Sequence, residues 1–145
     1  MLWESNSIVR YLAARYGSGS LWATEPRARA DAERWMDWQL SVLILGVNPV
    51  FLHLIRTPPD ERDRAAIEQG RRRTIAATRI LSDHLAKRPD VGGAEFTVGD
   101  ISIGTVLHRW LSLPVERPAM PHLERYYARL AERPGYRANI MQPLA

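Results

Sequence analysis

Apolar residues in this chain recur at three- and four-residue spacing, the period of helices with one buried face. The first stripe, Ile8, Val9, Leu12, Ala13 and Tyr16, predicts a helix from about Glu4 to Tyr16. Gly17-Ser18-Gly19-Ser20 should end it, because glycine accepts a left-handed cap and serine has little helix preference. That short polar stretch reads as a flexible linker. A second helix opens at Pro26, where a missing N–H costs nothing. Ala28, Ala32, Trp35, Gln39, Val42 and Gly46 share its inward face, with Trp38 and Leu45 on the flank. Asn48-Pro49 is expected to kink or break this helix, since Pro49 cannot donate to the preceding turn. Thr57-Pro58-Pro59 is the stop.

A third helix is expected from about Asp60 to Arg88, with acids at its positive end and Lys87 and Arg88 at its negative end. Ile67, Gly70, Thr74, Ala77, Leu81 and Leu85 form its inward stripe, and Gly70 and Ala77 would admit a close neighbour. The fourth helix carries the clearest local signal, FTVGDISIGTVLHRWLSL. Thr97 as N-cap and Asp100 three residues later form a capping-box pattern, while Phe96 and Ile101 form a hydrophobic staple. Beyond Asp100 nearly every side is apolar, which places this helix at the centre of a bundle. Pro121 opens a fifth helix that ends at Pro134-Gly135, and YRANIM forms a short sixth. No segment reads as a strand. The expected fold is an all-α helical bundle.

Composition narrows the function classes. With 145 residues the chain suits one domain able to bury a core. Neither a secretory leader nor an apolar run of bilayer-spanning length is evident, so a cytoplasmic protein with no membrane partner is expected. The absence of cysteine excludes disulfides, thiolate nucleophiles and sulfur ligands. A formal charge of +4 comes from 20 basic and 16 acidic residues, but the arginines are interleaved with acids, as in DERDRAAIEQGRRR. A nucleic-acid binder concentrates charge on one face, so no nucleic-acid partner is expected.

Little else looks chemical. The histidines His53, His84, His108 and His122 share no helical turn and match no metal-ligand spacing, so no metal site is expected. No catalytic residue stands out. The exception is the first turn of the first helix, Glu4-Ser5-Asn6. A helix N-terminus offers unpaired N–H groups and partial positive charge, so a serine there can help hold a carboxylate and an adjacent glutamate can hold an ammonium. Ser5 as a simple cap of its own helix is the competing reading.

LWESNSIVRYLAARYG, then LW and RARADAERWMDWQ, then FTVGDISIG and MPHLERYYARLAERPGY, together resemble cytosolic glutathione transferases of the bacterial type over essentially the whole chain. The resemblance implies that residues 1–17 are the last helix of a truncated thioredoxin-like domain, 18–25 a linker and 26–145 the C-terminal helical domain. It implies that Glu4 and Ser5 bind the γ-glutamyl end of glutathione, a co-substrate rather than a cofactor. Trp38, on the kinked second helix, would line the hydrophobic co-substrate pocket, with core packing as the alternative. The early residue that serves the glutathione thiolate in that family is missing, so this chain alone is expected to be inactive or weakly active. A homodimer is expected. Trp3, Ile8, Val9 and Leu12 would lose the cover of a sheet and be re-buried by dimerisation or by folding back on the bundle. A non-catalytic helical association module is the alternative function.

Overall fold

A computed structural model describes residues 1–144. Its helices, in chain order, are α1 (Ser5–Tyr16), α2 (Pro26–Trp38), α3 (Ile44–Phe51), α4 (Arg64–Leu85), α5 (Val98–Ser112), α6 (Pro121–Glu132) and α7 (Pro134–Asn139). Among the described residues there is no strand, only two isolated bridges, Ser18 with Trp22 and Asp90 with Gly93. The fold is therefore all-α, as the spacing predicts. Helix α5 is the central element, touching α1, α2, α3 and α6. Its Ile103, Leu107 and Trp110 are fully buried, in one core with Leu43, Val47, Val50, Leu81, Leu123, Tyr126 and Leu130. Three carbonyls at the end of this helix and just beyond, those of Trp110, Leu111 and Leu113, accept from the Arg117 guanidinium at 2.6–3.0 Å. A cation belongs at that negative end.

The second helix departs from expectation in an instructive way. It does not break at Asn48-Pro49; Pro49 lies inside α3, and one helical run extends from Pro26 to Arg56. The irregularities instead are π-helical turns at Gln39–Leu43 and Leu52–Arg56. Each such turn holds extra backbone and advances the buried stripe. The stripe accordingly moves from Ala32, Trp35 and Gln39 to Leu43, Gly46, Val47 and Val50, and the expected Val42 is left exposed beside Leu45. The missing Pro49 hydrogen bond is tolerated because α3 is clamped to α4 by close contact. A Cβ on Gly46 would come within 2.6 Å of the Thr74 hydroxyl, and one on Gly70 within 2.8 Å of the Gly46 carbonyl oxygen. The expected role of Gly70 holds, with Gly46 as its counterpart.

The same run corrects a second expectation: by length and composition it is long and apolar enough to cross a membrane. In the structure it packs against α4 and α5, with Leu43, Val47 and Val50 wholly buried.

Helix α4 is shorter than the acidic and basic flanks suggest. Pro59–Glu61 forms a separate 3₁₀ turn, and Asp63 caps α4 by accepting from the Ala66 N–H at 2.9 Å. Asp60, Glu61, Lys87 and Arg88 thus lie outside it. The expected flexible linker is a tied turn. Gly19 N–H donates to Trp22 O, Trp22 N–H to Gly17 O, and Val98 N–H to Leu21 O. Gly19 has a φ of 81°, which suits a residue without Cβ.

Helix α1 does not fold its apolar stripe back onto the bundle. Ala13 is buried and Val9 half-buried against Ala32, Met36 and Val98. Trp3, Ile8, Leu12 and Tyr16 remain exposed. The helix docks through polar groups: Arg10 pairs with Glu33 at 3.0 Å and with Asp37 at 2.6 Å.

Candidate functional site

The N-terminus of α1 begins with a backbone oddity. Glu4 has φ 68° and ψ 115°, the one positive φ on a non-glycine among the described residues. Such a conformation costs on the order of 1–3 kcal/mol and persists only where its surroundings enforce it. The Glu4 side chain makes no capping hydrogen bond. Ser5 and Ser7 are exposed. Ile8 N–H donates to Glu4 O at 3.0 Å, whereas the N–H groups of Ser5, Asn6 and Ser7 have no protein acceptor among the described residues. Three donors and a hydroxyl therefore sit together at the positive end of a helix, two of the donors on the exposed residues Ser5 and Ser7. That arrangement suits a carboxylate, with the Glu4 carboxylate beside it for an ammonium.

What holds this turn in place is Asn6, a residue to which the sequence reading assigned no task. It is buried, with 5% of its surface exposed. Its Nδ2 donates to the Met36 carbonyl at 2.9 Å and to Gln39 Oε1 at 3.2 Å, and its Oδ1 accepts from the Ser102 hydroxyl at 2.8 Å. One amide thus joins α1 to α2, to the π-helical turn and to α5. The available signal was positional: Asn6, Val9 and Ala13 share the face of α1 that meets the bundle, so a polar group there must find buried partners.

The second N-terminal site predicted, at α5, is built as expected but reaches further. The capping box between Thr97 and Asp100 is formed. Asp100 is wholly buried and accepts four hydrogen bonds. The Thr97 N–H and hydroxyl donate to Oδ2 at 2.8 and 3.0 Å, and the Val91 N–H and Tyr126 hydroxyl to Oδ1 at 2.9 and 2.8 Å. Burial pushes the Asp100 carboxyl above the usual carboxylate range, and those donors pull it back. Asp90 is raised to about 6, first by burial and then by the Asp100 charge; Arg129, 3.9 Å away, opposes this. Burial and the Asp100 carboxylate raise the Tyr126 hydroxyl well above its ordinary value. Phe96 is half-buried with the Arg133 guanidinium 3.7 Å from its ring centroid, and Ile101 lies on the same side, bordering the same cavity. With Val98 N–H on Leu21 O and the cap groups of Thr97 and Asp100 engaged internally, this terminus is a structural joint.

Trp38 is half-buried and meets Trp35 edge-on at 5.3 Å between ring centroids. None of three cavities found among the described residues is lined by Trp38, Glu4 or Ser5. The largest, about 770 Å3, lies between the start of α5, the end of α6 and α7, bordered by Asp90, Phe96, Ile101, Arg133 and Tyr136. No group of three or more metal-binding side chains occurs among the described residues.

Residues 64–129 match the description of the glutathione S-transferase C-terminal domain. The whole chain is 42% identical over 145 residues to glutathione S-transferase GstB of Escherichia coli K12, covering 70% of that protein. A more distant relative is the disulfide-bond oxidoreductase YfcG of the same organism, 29% identical over 137 residues, of which 60% is covered. Among solved structures, the chain superimposes with a TM-score of 0.96 on the theta class glutathione S-transferase of Xanthomonas axonopodis pv. citri with glutathione bound. That pair is 40% identical, and the match covers 99% of this chain and 69% of the other.

Proposed function

The chain belongs to the glutathione S-transferase family, and we propose that in a two-domain form it conjugates glutathione to hydrophobic electrophiles. It spans about 70% of the length of its close relatives. In this reading residues 1–17 are the last helix of a thioredoxin-like domain, 18–25 connect it, and 26–145 form the helical domain. Glutathione enters as a co-substrate, in a cytoplasmic homodimer.

One observation carries the reading: a strained Glu4 leads into a helix whose first N–H groups and Ser5 hydroxyl are left without protein partners. Ser5 and the backbone donors would hold the γ-glutamyl carboxylate, and Glu4 the α-ammonium. Charge-assisted contacts of this kind orient one end of the tripeptide so that its thiol projects toward the electrophile. Lowering the thiol pKa is the task of a group outside residues 1–145. The chain by itself should bind glutathione weakly and turn over a model electrophile at background. Isothermal calorimetry tests this: a glutathione heat in the millimolar range or tighter, abolished by Ser5→Ala, is the expected result. No detectable heat sinks the surviving half-site.

The exposed stripe of Trp3, Ile8, Leu12 and Tyr16 favours association as a second reading. It would make this chain a helical module that buries that face against a partner subunit. Sedimentation equilibrium at micromolar concentration tests this module, which a stable monomer rules out; the glutathione heat is what separates it from the first reading.

A further inference from the structure

The cavity of about 770 Å3 beside the start of α5 has no part in the glutathione reading, and neither Glu4 nor Ser5 lines it. Phe96, Ile101 and Tyr136 supply apolar surface there. Charges of both signs border it as well, Asp90 and Glu132 on one side of the balance, Arg129 and Arg133 on the other. Residues 142–144, which lead to the C-terminus, border a different cavity, beside Phe51 and Arg56.

The neutral donors of this lining are spent. The Tyr136 hydroxyl donates to Gly104 O at 2.7 Å, and the Asn139 amide to Gly135 O at 2.8 Å. The charged groups are not. The Asp90 side chain is only 15% exposed, yet its nearest cation, Arg129, stands 3.9 Å away, beyond hydrogen-bond reach. Burial raises this carboxyl to about 6, as befits a carboxylate short of donors. The Arg133 guanidinium carbon lies 3.7 Å from the Phe96 ring centroid, and Arg133 forms no ion pair among the described residues. A carboxylate without donors accepts from an ammonium, and a guanidinium fork without an acceptor suits a carboxylate. A plain cation would meet the two arginines, and a plain anion the two acids. A molecule with both signs on neighbouring atoms satisfies both, and the apolar surface suits a hydrophobic group attached to it.

We propose that this cavity binds a free α-amino acid with a large apolar side chain, its ammonium on Asp90, its carboxylate on Arg133 and its side chain against Ile101 and Tyr136. The site uses residues 90–140 alone, so it stands whether or not Glu4 and Ser5 hold glutathione. The probe is L-phenylalanine, titrated into the full chain by calorimetry above pH 7, where Asp90 is ionised. Phenethylamine, which lacks the carboxylate, and 3-phenylpropanoate, which lacks the ammonium, are titrated beside it. Phenylalanine should bind about fivefold or more tightly than either. Asp90→Asn should bring phenylalanine down to the level of 3-phenylpropanoate. Arg133→Gln, at an exposed position, should bring it down to the level of phenethylamine and leave phenethylamine itself unchanged. Circular dichroism of both variants should match that of the parent chain. No heat with phenylalanine overturns the proposal, as do equal affinities for the three probes or full phenylalanine affinity in Asp90→Asn. Loss of binding in Ser5→Ala also overturns it, because the amino acid would then sit at the start of α1.

Discussion

Two helix N-termini in this molecule start from similar materials and end in opposite states. At α5, Thr97 and Asp100 turn inward, and a single carboxylate collects four donors from the preceding loop, its own cap and α6. At α1, Glu4 and Ser5 turn outward, the backbone is strained, and the first N–H groups have no acceptor. A helix end that closes on itself stabilises the fold. One that stays open while its neighbour Asn6 is locked in the core has donors to offer a ligand.

The strongest way to break the contrast is Asp100→Ala. It strands donors from three elements, so a loss of about 3–5 kcal/mol is expected in urea unfolding. A loss below about 1 kcal/mol would mean that the terminus of α5 is no joint. Next comes Asn6→Ala, which removes three buried hydrogen bonds and leaves Gln39 and Ser102 short of partners. It should cost about 2–3 kcal/mol, and it should raise hydrogen exchange in α1 more than in α4.

A smaller effect belongs to Asp90, which shares the loop beside Asp100. Its folded pKa of about 6 exceeds the ordinary aspartate value of 3.8, so between those values the folded state holds more protons than the unfolded chain. Stability from this group is complete below about pH 4 and is lost as pH rises through about 6. Asp90→Asn should therefore flatten the melting temperature between pH 4 and 7 and stabilise the neutral protein by on the order of 1–2 kcal/mol. An unchanged pH profile would reject the shift. The smallest expected effect is the most telling. Ser5→Ala should change stability by less than about 0.5 kcal/mol, as an exposed hydroxyl without partners implies. A loss near 1 kcal/mol would make Ser5 an ordinary cap.

Much of the fold was legible because its signals are local. Thr97 and Asp100 are three residues apart, and prolines at 26 and 121 each open a helix as their missing N–H allows, whereas Pro134, expected to close the fifth helix, instead opens α7. Pro49 misled the reading, because a rule about one hydrogen bond says nothing of Gly46 and Gly70 holding that segment against α4. Val42 misled it too, since a 3.6-residue period assumes a regular helix and the π-helical turn at Gln39–Leu43 rotates all that follows.

At the candidate site, Glu4 and Ser5 could be picked out from residue type and position alone. The reason Ser5 stays open could not. Asn6 finds Ser102 across 96 residues of chain, and no pattern within a helical turn reports on a partner that far away. The chain's own residues thus determined where α1, α2, α5 and α6 start, which residues form the apolar stripes of α4 and α5 and how α5 is capped, because those are decided within a few residues. Tertiary packing decided the phase of the long helix, the burial of Asn6 and the strain at Glu4. Each of these depends on groups that meet only after the helices have docked.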